Sequence, residues 1–433
     1  MRKLGLVLIT VMLLMASAVW GYSFLDMAVG SEVFGGSARC QGMGQVRLLC
    51  ETTPLAARLN PALLARLGGY VATASYRLTS FEDRWSLPTY DSFDALLGYT
   101  CYSHNSNLYH RFAGGFATGP LKQLRGVALG VALADAYDFS YDFHEEVRDR
   151  STTSVPSDKR IADALIDASG SIMGLTIGLG RAFNDRMSVG LSLEYLFGDF
   201  DIKSRLTNID LTKMHCWDEP STEAQDTFKA KSLSGTRLIL GATYKVNKRL
   251  EVALKATTRS KLEGDYTASD EGLLYFMPSK AQSGKFDLTY PSSYAFGFTY
   301  RPRNELLTVI EGNARYTRWS EAGNTALQSF NTDDTIEFNI GVEHVFYNGQ
   351  PVRFGFLYRQ SPLDNETSEA AVTAGSGFMV GSLEVSFSGK VGWRDYRYFD
   401  LFDDSIFCAE SREFTDRVEE TWVSGLITVS RRF

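Results

Sequence analysis

From residue 68 to the carboxy-terminus the chain alternates apolar and polar residues in run after run, and nothing else in it constrains the fold as strongly. The runs at 187–197 (MSVGLSLEYLF), 236–246 (TRLILGATYKV), 250–258 (LEVALKATT), 293–300 (SYAFGFTY), 336–346 (IEFNIGVEHVF) and 383–393 (LEVSFSGKVGW) keep a period of two. That period sends successive side chains to opposite faces of a strand. Many runs reach ten residues, beyond the ~5–6 of an ordinary globular strand. They match the ~9–11 residues with which a tilted strand crosses a bilayer. Short linkers at 184–186, 246–248, 301–304, 347–350 and 380–382 take turns with long ones at 204–232, 264–282, 320–334, 361–370 and 399–419. A transmembrane barrel has this alternation, with tight turns at one rim and long loops at the other. The fold expected is therefore all-β, a transmembrane antiparallel barrel over residues 68–433. Fifteen candidate strands can be counted, the first four at 69–78, 93–103, 109–118 and 124–139. A single-chain barrel with both ends on one side needs an even number. Fourteen strands are expected, with one of those four not spanning.

The start of the chain reads as a signal peptide over 1–21. Arg2 and Lys3 precede the apolar stretch 4–15, and Ala16-Ser17-Ala18 is a small-residue cleavage site, with Gly21 a second candidate. Removing Arg2 and Lys3 leaves 42 basic and 51 acidic residues, a net charge of −9. An exported acidic chain is poorly suited to nucleic acid, and none is expected as a partner. Cys40, Cys50, Cys101, Cys216 and Cys408 form no CxxC motif and are odd in number, so at least one is unpaired. Cys40 and Cys50 are near enough in sequence to pair, but spacing alone does not establish it. His104, His110, His144, His215 and His344 are scattered, and no H-E-x-x-H is present. No metal site, cofactor or catalytic residue is expected, and no G-x-S-x-G marks a hydrolase.

Two local readings bear on the barrel. Glu194, Glu251, Glu311, Glu337, Glu343 and Glu384 lie within strands, where the lipid face penalises charge, so they are expected to face the lumen. Asp163-Ala164-Leu165-Ile166-Asp167 reads as a short amphipathic helix in an external loop.

Residues 22–67 show no strand alternation and carry many apolar side chains, among them Met27, Phe34, Met43, Leu48, Leu55 and Leu64. A barrel of fourteen strands leaves a lumen that its own wall does not fill. This segment is expected to be a plug, or hatch, inside it. Asn60 before Pro61 suits an N-cap followed by proline at the first helical position, with 62–67 as a short helix closed by Gly68-Gly69.

Several pieces of the mature chain together resemble the FadL-type outer-membrane transport family. Gly36-Ser37-Ala38-Arg39 followed by Gly42-Met43-Gly44 is similar to the family's GARAMGMGG opening, and Asn60-Pro61-Ala62 to its NPA element. Leu288-Thr289-Tyr290-Pro291, Tyr316-Thr317-Arg318-Trp319-Ser320, Val352-Arg353-Phe354-Gly355-Phe356-Leu357-Tyr358 with Ser361-Pro362, and Ala374-Gly375-Ser376-Gly377-Phe378 follow in the family's order. The sequence departs at 47–54, which reads RLLCETTP where the family has an aspartate-rich stretch.

The resemblance implies a bacterial outer-membrane location and passive uptake of long-chain fatty acids or other hydrophobic small molecules. Gly42, Met43, Gly44, Asn60, Pro61 and Ala62 would belong to the hatch, and Gly114 and Gly115 would mark a strand kink. Val423, Gly425, Ile427 and Val429 alternate with polar or larger residues up to the terminal Phe433. That ending resembles the signal read by the barrel assembly machinery, so this machinery and outer-membrane lipid are the other expected partners. The competing readings are a general porin and a structural or secretion-accessory barrel that binds protein partners.

Overall fold

The computed structural model describes residues 27–93, 95–148, 160–207, 223–269, 273–274, 277–278, 281–303, 307–327, 332–363, 367–402 and 415–433. The expected signal peptide (1–21), residues 22–26, Cys216, Cys408 and His215 lie outside them. The chain forms a closed antiparallel barrel of fourteen spanning strands. They are β1 (Tyr70–Tyr90), β2 (Leu96–Thr118), β3 (Val127–Asp138 and Tyr141–Arg148), β4 (Arg160–Ala182), β5 (Met187–Thr207), β6 (Glu223–Lys245) and β7 (Leu250–Thr257 and Ser260–Ala268). Then come β8 (Gln282–Tyr290 and Ser293–Tyr300), β9 (Leu307–Thr317), β10 (Thr335–Val345), β11 (Pro351–Arg359), β12 (Glu369–Val380), β13 (Leu383–Tyr398) and β14 (Asp416–Arg432). Each strand pairs with the next, and β14 closes on β1 from Arg417↔Ser86 to Arg432↔Val71.

The even count is reached differently from the sequence reading. No early candidate drops out; 93–103 and 109–118 are parts of one strand, the 23-residue β2. The polar stretch between them, Ser103 to Asn107, stays extended because it is in register with Phe81 to Trp85 of β1. Asp163 to Asp167 is also strand, not helix. Ala162, Ala164, Ile166 and Ala168 alternate inward, and the segment is laddered to β3 and β5 on its two edges. Its spacing suits either periodicity, and the neighbouring strands decide.

On the half of the wall next to the chain ends, apolar residues face out and polar ones in. On β5, Leu191, Leu193 and Tyr195 are exposed while Ser192 and Glu194 are buried; on β10, Phe338 and Ile340 are exposed while Glu337 and Asn339 are buried. That inversion of soluble-protein order is what a lipid-facing band requires. Toward the rim with the long loops the interior becomes aromatic. Tyr137 stacks on Tyr290 at 3.6 Å between ring centroids and Phe139 on Phe200 at 4.0 Å, joined by Trp85, Tyr141, Phe228 and Phe286. Met27 and Ala28 pack into this cluster.

Candidate functional site

The described part of the N-terminal segment descends through the lumen from the aromatic cluster and leaves at the chain-end rim, where Phe433 N–H donates to Tyr70 O at 2.9 Å. It contains α1 (Ala38–Gly42), α2 (Ala56–Leu59) and a 3-10 turn, Pro61–Arg66. Asn60 caps that turn, its Oδ1 accepting the Ala62 N–H at 3.2 Å while its Nδ2 donates to Leu48 O at 2.8 Å. Cys40 and Cys50 are disulfide-bonded, with Cα atoms 5.8 Å apart, and close the loop that holds Gly42, Met43 and Gly44. Cys101 is a free thiol.

The wall is shaped to receive this segment. A Cβ on Gly190 or Gly241 would meet Pro61 C at 2.2 Å or Asn60 Oδ1 at 2.0 Å. On the opposite wall a Cβ on Gly341 or Gly355 would meet Met43 O at 2.2 Å or Gly44 N at 2.0 Å. The Gly42, Met43 and Gly44 group and the Asn60, Pro61 and Ala62 group therefore sit against wall glycines, where a side chain would collide with them. Thr373 Oγ1 accepts the Gly44 N–H at 2.8 Å, and Asn339 Nδ2 donates to Gly44 O at 2.8 Å.

Charge holds the two together. Arg39 is bidentate to Glu343, Arg58 Nε lies 2.9 Å from Glu194, and Arg66 pairs with Glu251. Glu32 accepts from Nη1 and Nη2 of Arg315, at 2.8 and 2.6 Å, and from Arg47 Nη1 at 3.1 Å. Burial alone would raise the Glu32 pKa; the Arg315 and Arg47 charges outweigh it and hold the carboxyl well below its usual range. Five of the six strand glutamates singled out in the sequence, all but the half-buried Glu384, are at most 4 % exposed. Glu311 is one of them, and its Oε1 accepts the N–H groups of Leu48 and Leu49.

Above the segment lies a cavity of about 130 Å³ that reaches the loops at Trp319, Thr332 and Leu363. Arg77, Arg315, Arg359, Lys390 and Arg394 line it against three carboxylates, Glu32, Glu337 and Glu369. Phe34, Phe81 and Trp422 supply apolar surface, with Lys390 and Arg394 over the Trp422 ring at 5.6 and 5.2 Å. Such a lining offers cations and an apolar wall to one ligand.

The wall has a seam. β2 and β3 pair through only five residues each, Ala113 to Ala117 with Ala134 to Gly130. Gly114 and Gly115 lie in this last paired stretch and are in register on both sides. Beyond it the strands part, and β3 is interrupted at Phe139 and Ser140. Side chains of β2 bridge the gap: Ser103 Oγ donates to His144 O at 2.7 Å, and Asn107 Nδ2 to Asp142 O at 2.8 Å. The β3 edge that β2 leaves is taken from inside, with Ser31 and Glu32 opposite Asp138 and Tyr137 and Val33 N–H donating to Ala136 O at 2.9 Å. A small void of about 20 Å³ runs from Phe34 and Arg77 to Phe112 on the outer face.

The family model for outer membrane protein transport proteins (OMPP1/FadL/TodX) matches residues 127–382. This chain belongs to that family. Its place is the bacterial outer membrane, which puts the chain-end rim with the tight turns in the periplasm. Among solved structures, a Pseudomonas aeruginosa FadL homologue superposes with a TM-score of 0.67 at 14% identity, covering 93% of this chain and 100% of that one. The Pseudomonas putida toluene transporter TodX gives 0.64 at 13%, covering 93% and 99%. The Ralstonia pickettii toluene transporter TbuX gives 0.59 at 15%, covering 92% and 99%. At these identities the likeness is one of fold. A comparison with curated protein sequences returns no match.

In this FadL/TodX-family barrel, the residues that sequence reasoning passed over are the arginines. Arg47, Arg58, Arg315 and Arg359 follow no motif. Their one visible signal is that charged residues on barrel strands and in a luminal segment must find partners inside.

Proposed function

We propose that the protein takes up a hydrophobic small molecule with an anionic head, of the long-chain fatty acid class, by passive movement through the lumen. The observation that supports this reading is the 130 Å³ cavity, where five cations face three carboxylates beside Phe34, Phe81 and Trp422. An acyl chain gains roughly 0.8 kcal/mol per buried CH₂, so its route must be apolar, while its carboxylate needs a cation along the way. TodX and TbuX are named for toluene, a cargo with no charge to place; the cationic lining here favours a carboxylate. Residues 22–67 act as the hatch in this proposal, and withdrawal of residues 31–33 from the β3 edge uncovers the seam as a side exit.

Binding to the purified protein, followed by displacement of a fluorescent fatty acid, tests the cargo. Laurate is expected to compete and toluene not. Lys390→Ala is expected to weaken laurate about tenfold, the cost of one charge-assisted contact of ~1.5 kcal/mol. Toluene binding with no competition by laurate would reverse the assignment.

A further inference from the structure

A second polar cavity, of about 40 Å³, lies where the N-terminal segment meets the wall below Glu32. Arg47 and Arg58 reach it from the segment, and Arg237, Lys255 and Arg315 from β6, β7 and β9. Among the described residues three carboxylates serve these five cations. Glu32 pairs with Arg47 and Arg315. Glu194 pairs with Arg58 and Arg237. Glu337 pairs with Arg315, lies 3.5 Å from Arg47, and is shared with Arg359. Lys255 Nζ has only the Arg58 carbonyl, at 3.1 Å, and makes no ion pair among the described residues. Arg47 is 7 % exposed, and its buried Nε has no hydrogen-bond acceptor among the described residues.

The basic side chains thus outnumber the carboxylates that serve them by two in a largely buried place, an imbalance that a counter-ion removes. We propose that this cavity is an anion site that takes one small oxyanion, a phosphate-like ion or a carboxylate group, between Lys255 Nζ and Arg47 Nε. The volume admits a head of that size and no acyl chain. Because Arg47 belongs to the segment and Lys255 to the wall, the anion fastens one to the other. The site does not depend on the cargo being a fatty acid: it is a different cavity, and an inorganic ion satisfies it.

Isothermal titration of the purified full chain in detergent tests this, with ionic strength held constant by sodium chloride. Inorganic phosphate and acetate are the two probes, and they separate a phosphate-like occupant from a carboxylate. Saturable binding of at least one is expected, weakened at least tenfold in Lys255→Gln and retained in Lys255→Arg. Lys285→Gln, at a side chain 84 % exposed, is expected to bind like the native protein. Absence of saturable binding of both probes overturns the proposal, as does equal affinity in Lys255→Gln. If Lys255→Gln does not assemble, Arg47→Lys, which keeps the charge and removes the Nε donor, is read in its place; unchanged affinity there overturns the proposal too. Laurate binding is measured on the same samples. Its failure alone bears on the cargo and leaves the anion site standing.

Discussion

Arg58 and Glu194 are 136 residues apart in sequence and 2.9 Å apart in space, both buried, one on the luminal segment and the other on β5. Arg237 of β6 shares the same carboxylate at 2.5 Å. A buried charge left without its partner is destabilising by about 3–5 kcal/mol. Glu194→Gln is therefore expected to loosen the segment while the wall ladder persists. Hydrogen exchange should show lost protection at 45–67 with β5 and β6 unchanged; equal loss in both would mean that the pair holds the wall instead.

Gly44 has φ +75°, and a Cβ there would lie 2.5 Å from Ile340 O and 2.6 Å from Phe356 O. Both neighbours are backbone atoms of the barrel ladder and have little freedom to retreat. Gly44→Ala is expected to weaken docking of the segment by more than the ~1 kcal/mol that a left-handed alanine alone costs. Limited proteolysis near residue 44 checks this, with Gly349→Ala, which meets no atom within 4 Å but has φ +78°, reporting the backbone cost by itself.

Glu32 titrates below its ordinary value because Arg315 and Arg47 stabilise its charge more than burial opposes it. A carboxyl depressed on folding contributes stability that is fully present above its unfolded pKa, about 4.3 for a glutamate, and is lost as pH falls through the folded value. The Glu32 contribution to docking should be flat from about pH 7 to pH 5 and weaken only below about pH 4. Glu32→Gln should weaken docking at neutral pH and flatten the acid limb. A pH titration of protease accessibility in both proteins measures the window.

The Cys40–Cys50 bond spans a sequence separation of ten. Closing a loop of that length stabilises by roughly 2–3 kcal/mol on chain-entropy grounds. The Cys40→Ser/Cys50→Ser double variant is expected to keep the barrel's heat-modifiable mobility and to expose 40–50 to protease. Loss of the barrel itself would show that the bond supports assembly of the wall.

Deleting 28–64 is expected to leave a folded barrel that conducts more than the intact protein, since wall hydrogen bonds close on themselves everywhere except along the short β3 edge that residues 31–33 cover. Planar-bilayer conductance of the two forms decides this. An intact protein that already conducts like an open porin would contradict the hatch proposal.

The barrel was written in the sequence because its cause is local. Leu191, Leu193 and Tyr195 must alternate with Ser192 and Glu194 if one face is to meet lipid and the other the lumen, and a period of two is visible in any single strand. The same logic marked Glu194, Glu251, Glu311, Glu337, Glu343 and Glu384 as luminal, and the first five are buried. What each glutamate meets was not legible. Arg58 finds Glu194, and Glu32 finds Arg315, across separations that no spacing rule covers, and only closure of the wall around the segment brings them together. The polar stretch Ser103 to Asn107 is strand because β1 lies beside it, and Asp163 to Asp167 because β3 and β5 do. The seam between β2 and β3 has the same origin. Ser31, Glu32 and Val33 carry no strand signal of their own; they extend along β3 because its edge offers donors and acceptors that β2 leaves unpaired.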